Sequence, residues 1–160
     1  MDFENMNIGE MGAIIADAAN RLKVDAPEAD ADGVFQLKLE DEFTFYLRPL
    51  EDGSGIFAFA QLAELPDDTP AEVFRELLDA NLFGEGSGKG FFALENASGA
   101  LVWQALLPAD AQALADGILS AANLCRWWTF RLLELSGAAL EEEGEAEGGN
   151  QDAGATYIRA

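Results

Sequence analysis

The sequence predicts an α+β domain: a twisted antiparallel sheet with helices on one face, in the order α-β-β-β-α-β-β-α. Three observations predict it. Apolar and polar residues alternate in two adjacent runs between Phe35 and Leu47, the signature of a hairpin. Thr69-Pro70 opens a segment whose apolar residues recur at helical spacing. The same spacing appears before Lys23 and after Asp110, so strands lie between helices, as in layered α+β domains.

Residues 8–22 read as the first helix, because Ile8, Met11, Ile15, Ala18 and Leu22 form one apolar stripe. Asn7 is its expected N-cap, with Glu10 at the capping-box position. The polar connector DAPEADADG follows. Phe35, Leu37 and Leu39 then alternate with Gln36, Lys38 and Glu40, and Phe43, Phe45 and Leu47 with Thr44, Tyr46 and Arg48. Glu40-Asp41-Glu42 links the two strands as a hairpin. After PLEDGSG, the third strand, Ile56 to Leu62, is apolar on both faces, which suggests a central position in the sheet or a covered second face. Thr69 as N-cap, Pro70 at N1 and Glu72 at N3 start the second helix, with Val73, Phe74, Leu77, Leu78 and Leu82 on its apolar face. FFAL, the turn ENASG and ALVWQALL form a second hairpin. Asp110 caps the last helix. Leu114, Ile118, Ala121, Cys125, Trp128, Leu132 and Leu135 form its stripe, broadened by Leu119, Leu124, Trp127, Phe130 and Leu133. That breadth suits a helix packed across a sheet rather than a coiled-coil seam.

After Gly137 the chain becomes acidic and glycine-rich. The expected organisation is a folded domain over 1–137 and a disordered acidic tail over 138–160, with Tyr157 and Ile158 its only bulky apolar pair. The whole chain carries 30 acidic and 9 basic residues, a net charge of −21. Such a field opposes binding to nucleic-acid backbones and anionic membranes. No histidine is present, which removes the commonest general base and metal ligand. The single cysteine, Cys125, has no internal disulfide partner and reads as a packing residue, consistent with a reducing compartment. The acidic N-terminal stretch does not resemble a secretory signal, and no apolar run is long enough to span a membrane.

FGEGSGKGFF, residues 83–92, tests for phosphate binding. A Walker A loop ending at Gly88-Lys89 would need glycine at Phe83 and a hydroxyl at Gly90. The helix lies before the loop instead of after it, so no helix N-terminus faces it. The dinucleotide spacing also fails, ending on Lys89 or Phe91. The loop therefore reads as a flexible, hinge-like connector with glycines at positive φ, one of them capping the helix after Asn81-Leu82. Asp67-Asp68 and Glu40-Asp41-Glu42 sit in turns, and Ser87, Ser98 and Ser120 lack a histidine partner. These features predict no catalytic residue, cofactor or metal.

The stretch LLDANLFGEGSGKGFFALENASGALVWQALLP resembles the signature region of class I type III secretion chaperones, the Tir-chaperone family. Leu77, Leu78, Ala80, Asn81 and Leu82 match its helix end. Gly90, Leu94, Ser98, Gly99, Leu101, Leu107 and Pro108 match the following loop, turn and strands, and Trp127 or Trp128 matches a frequent tryptophan of the last helix. The element order extends the resemblance over about residues 5–136. The long acidic tail and glycine-dense loop depart from the pattern. The resemblance implies a homodimeric, bacterial cytoplasmic chaperone without ATPase activity, binding an extended N-terminal segment of a secreted effector. Such a segment pairs with strand edges and drops apolar side chains into grooves. The residues so implied for effector binding are Ile14, Leu22, Phe35, Leu37, Phe43, Phe45, Leu47, Phe57 and Phe59. Those implied for the dimer interface are Phe74, Leu78, Leu82, Phe91, Leu101 and Trp103.

Three other readings compete. An acidic inhibitor or nucleic-acid mimic fits the net charge, but six of the acids (Glu141, Glu142, Glu143, Glu145, Glu147 and Asp152) lie in the tail. A non-secretion protein of the same fold is compatible with the pattern, since fold does not dictate role. A carboxylate-only enzyme lacks a nucleophile or paired base.

Overall fold

The structure is a computed structural model that describes residues 3–40 and 43–147. Its elements are α1 (Phe3–Arg21), β1 (Phe35–Leu39), β2 (Phe43–Pro49), β3 (Ile56–Glu64), α2 (Ala71–Asn81), a 3₁₀ turn (Leu82–Gly84), β4 (Phe91–Glu95), β5 (Ala100–Leu107) and α3 (Ala111–Glu147). The strands form one open antiparallel sheet, ordered β1-β2-β3-β5-β4. The expected element order holds, and β3 takes the central position. The chain divides into two units, Met1–Gln61 with Gln104–Asn123 and Leu62–Trp103 with Leu124–Ala160.

In the first unit, the register pairs Phe35 with Leu47 and Leu37 with Phe45, then Leu47 with Ala58. Paired residues share a face, so Phe35, Leu37, Phe45, Leu47 and Ala58 form one buried layer. Met11, Ile15, Ala18 and Ala19 of α1 and Leu114 and Ile118 of α3 are buried with them. Gly12 of α1 lies against the Phe35 ring, where a Cβ would sit 3.8 Å away.

The second unit buries Val73, Leu77 and Ala80 of α2, Phe92, Leu101 and Trp103 of the strands, and Cys125, Trp128 and Leu132 of α3. Glu95 caps the β4–β5 turn by accepting from the Ser98 N–H and hydroxyl. Gly99 has φ 74°, and a Cβ there would lie 2.4 Å from the Leu65 carbonyl oxygen. That contact explains the Ser-Gly pair physically: only glycine lets Leu65 N–H reach the Gly99 carbonyl at 2.7 Å.

Several expected boundaries move. α1 begins at Phe3, so Asn7 lies inside the helix and is not its cap; no glycine or proline interrupts residues 3–7. α2 begins one residue later than expected, with Pro70 at the cap position. The Thr69 hydroxyl donates to the Pro66 carbonyl at 2.6 Å. Asp110 does cap α3, its carboxylate accepting from Ala113 N–H at 2.8 Å. That helix runs through Gly137 to Glu147. A helical glycine costs only about 1 kcal/mol, and the alanine, leucine and glutamate residues behind it favour helix. The proposed tail is thus helical over 138–147, while Asp41, Glu42, Tyr157 and Ile158 lie outside the described residues.

Candidate functional site

The first unit carries an aromatic row on the sheet face opposite the buried layer. Side chains alternate along a strand, so Gln36, Tyr46 and Phe59 align across three strands, and Arg48 aligns with Phe57. Tyr46 and Phe59 stack at 5.1 Å between centroids, 13° from parallel, and Phe57 lies 6.3 Å from Phe59. All three rings are half-buried. Of the other residues implied for effector binding, Phe35, Leu37, Phe45 and Leu47 are buried on the opposite face. Phe43, paired with Leu39, is half-buried on that buried side, and Ile14 and Leu22 are half-buried on α1 and just beyond its end. Tyr46 is not among the residues implied for binding, although its place between Phe45 and Leu47 assigns it to the hairpin's other face.

The second unit presents an apolar groove of about 130 Å³ between α2 and the β4–β5 hairpin. Phe74, Leu77 and Leu78 line it from the helix, and Phe92, Leu94 and Leu101 from the strands. Leu78 is 69% exposed, Leu82 and Phe91 are also exposed, and Phe74 is half-buried. Leu101, which lines the groove, and Trp103 are buried. Leu94 and Phe83, both exposed, are not among the residues implied for the dimer interface.

The glycine-dense loop is held in place rather than hinge-like. Asn81 grips the start of β4 twice: its Nδ2 donates to the Phe92 carbonyl at 3.0 Å, and its Oδ1 accepts from Phe92 N–H at 2.7 Å. Trp103 Nε1 donates to the Ser87 carbonyl at 2.8 Å, and Trp128 Nε1 to the Gly86 carbonyl at 3.0 Å. Ser87 Oγ donates to the Gly90 carbonyl. A Cβ on Gly86 would lie 2.8 Å from Ala80 Cα, so glycine is required for the loop to fold back on α2. The C-cap of α2 is Leu82 and not a glycine, and positive φ falls on Phe83 and Lys89 as well as Gly84 and Gly88.

Charge chemistry in this unit is structural. Arg131 clamps Glu76 of α2 through two guanidinium nitrogens and reaches Glu134 at 3.2 Å. Hydrogen bonds to Glu76 and then Glu134 hold its pKa above the ordinary arginine value. Burial pushes the Cys125 thiol up to about 12, so it stays protonated and unreactive at neutral pH. Among the described residues no cluster of acids or cysteine has metal-site geometry, and no helix is long and apolar enough to cross a membrane.

The chain matches the Tir chaperone protein (CesT) family over residues 13–142. No curated protein matches it in sequence. Among solved structures, a chain of the ExsC–ExsE complex aligns with TM-score 0.63 and 16% identity, covering 78% of this chain and 94% of that one. The Yersinia pestis type III secretion chaperone SycH, solved with a stable fragment of YscM2, gives 0.58 and 19%, covering 72% and 96%. A chain of the ExoU–SpcU complex of the Pseudomonas aeruginosa type III secretion system gives 0.55 and 20%, covering 77% and 94%. At these identities the likeness establishes a shared fold.

Proposed function

Because the chain belongs to the Tir chaperone protein (CesT) family, we propose that it is a type III secretion chaperone. It binds an extended N-terminal segment of a secreted effector and keeps that segment soluble and secretion-competent. Binding uses no ATP or other cofactor and catalyses no reaction. The observation that carries the reading is the Tyr46–Phe57–Phe59 row, an apolar strip on the half-open sheet face. An extended peptide buries alternate side chains on such a face. Ile14 and Leu22, half-buried on α1 and just beyond its end, are further candidate contacts, while Phe35, Leu37, Phe43, Phe45 and Leu47 lie on the sheet face opposite the aromatic row.

The protein acts as a homodimer through the α2 and β4 surface, with Phe74, Leu78, Leu82 and Phe91 in contact; Leu101 and Trp103 are buried in the same unit. Covering this face removes apolar area that a monomer exposes. The acidic surface keeps the free chaperone from aggregating through its grooves, in a bacterial cytoplasm. The test is co-expression of the full chain with the N-terminal segment of an effector encoded beside it. Wild type is expected to co-purify the segment at a mass that includes two copies of the 17.2 kDa chain. Phe59→Asp should retain the fold by circular dichroism and lose the segment. Equal capture by Phe59→Asp would remove the sheet face from the binding site.

A further inference from the structure

We propose that Phe83 is a knob that seats in the α2–β4 groove of a second copy of this chain. The inference rests on the homodimer reading above and names a contact that sequence reasoning did not include.

Phe83 is the most exposed large apolar residue among those described, at 88%. Its backbone φ is 56°, a region that bulky L-residues avoid. A strained, solvent-facing aromatic is unfavourable in an isolated chain and persists only where its surroundings impose it. Here they do. Asn81 grips Phe92 on one side, and Lys89 N–H donates to the Gly84 carbonyl at 2.8 Å on the other. Trp128 fixes Gly86 just beyond. The ring is therefore presented from a held backbone.

The groove supplies the seat. Its volume is about 130 Å³ and its lining includes Phe74, Leu78, Phe92, Ala93, Leu94 and Leu101. A cavity on the order of 150 Å³ holds benzene, so a phenyl ring matches the groove in size and polarity. Phe83 cannot fill its own groove while its ring stands in solvent. Asn81 lines the groove two residues before the knob. Knob and groove thus lie side by side on one chain, and a two-fold axis beside them exchanges both at once. That arrangement is isologous and closed, and it leaves neither feature exposed.

Sedimentation of the full chain across a concentration series tests the proposal. Wild type is expected to dimerise. Phe83→Ala should raise the dimer Kd by about 10²–10³-fold, because each dimer loses two buried aromatic anchors. Phe83→Gly should weaken the dimer equally without lowering the melting temperature of the monomer, since glycine adopts positive φ freely. Phe83→Leu should recover part of the affinity. Ala93→Leu, which fills the groove, should weaken the dimer and add little to Phe83→Ala, as coupled sites do. A wild-type chain that stays monomeric overturns the dimer reading and the knob with it. A wild-type dimer that Leu78→Asp dissociates but Phe83→Ala and Phe83→Gly leave intact overturns the knob alone. Phe83→Ala weakening beside an unaffected, folded Ala93→Leu overturns the groove as its seat.

Discussion

Replacing Asn81 with alanine removes the two hydrogen bonds that tie the end of α2 to the start of β4. The side chain accepts from Phe92 N–H at 2.7 Å and donates to its carbonyl at 3.0 Å, both in a part-buried site. Each such bond contributes about 1 kcal/mol net, and the backbone groups left half-desolvated add up to about 1 kcal/mol more. The expected loss is about 2–3 kcal/mol. For a chain of this size that corresponds to a drop in melting temperature of about 4–12 °C. Urea denaturation followed by tryptophan fluorescence, at one fixed chain concentration, should show a lower midpoint with an unchanged slope. Asn81→Asp separates the two bonds. A carboxylate still accepts from Phe92 N–H, but it cannot donate and sets an oxygen against the Phe92 carbonyl. At neutral pH it should be no more stable than the alanine variant. An alanine variant within about 0.5 kcal/mol of wild type, the range of neutral surface changes, or a fully stable aspartate variant, would refute this account of the motif.

Two further predictions concern α3. The folded Cys125 thiol is raised to about 12 from 9.0, so the unfolded chain releases this proton first as pH rises. The thiol's contribution is intact below pH 9 and is lost above it at about 1.4 kcal/mol per pH unit; Cys125→Ala should lack that part of the decline in alkaline denaturation, and Ellman's reagent should label the wild-type thiol only on unfolding. Trp128 is 3% exposed and packs edge-on to Phe92, whereas Trp127 is 57% exposed. Trp128→Ala should cost about 3–5 kcal/mol; Trp127 meets the Trp128 ring edge-on at 5.2 Å, so Trp127→Ala should cost about 0.5–1.5 kcal/mol, and equal losses in thermal melts would contradict this assignment.

Much of the fold was legible because its signals are local. Period-two alternation from Phe35 to Leu47 and three-four spacing from Val73 to Leu82 identify strands and helix without any long-range contact. Ends were harder to read. Thr69 satisfies every residue rule for an N-cap, yet Pro70 takes the cap position of α2. Gly137 looks like a stop, but a single glycine is too weak a penalty to end a long helix. The glycine loop read as a flexible hinge because its anchors, Trp103 and Trp128, come from elements 16 and 42 residues away.

The sequence by itself determined the element order, the strongly acidic character, and the family pattern centred on Asn81 and Ser98-Gly99. Only the tertiary structure decided which apolar residues fill the core and which stay partly open. Alternation sorts a strand into two sets, and nothing local says which set the helices cover; packing assigned Phe35, Leu37, Phe45 and Leu47 to the core and left Tyr46, Phe57 and Phe59 half-open. The same holds for Phe83. Its letter predicts burial, and its solvent-facing ring follows from a left-handed turn imposed by hydrogen bonds from distant residues.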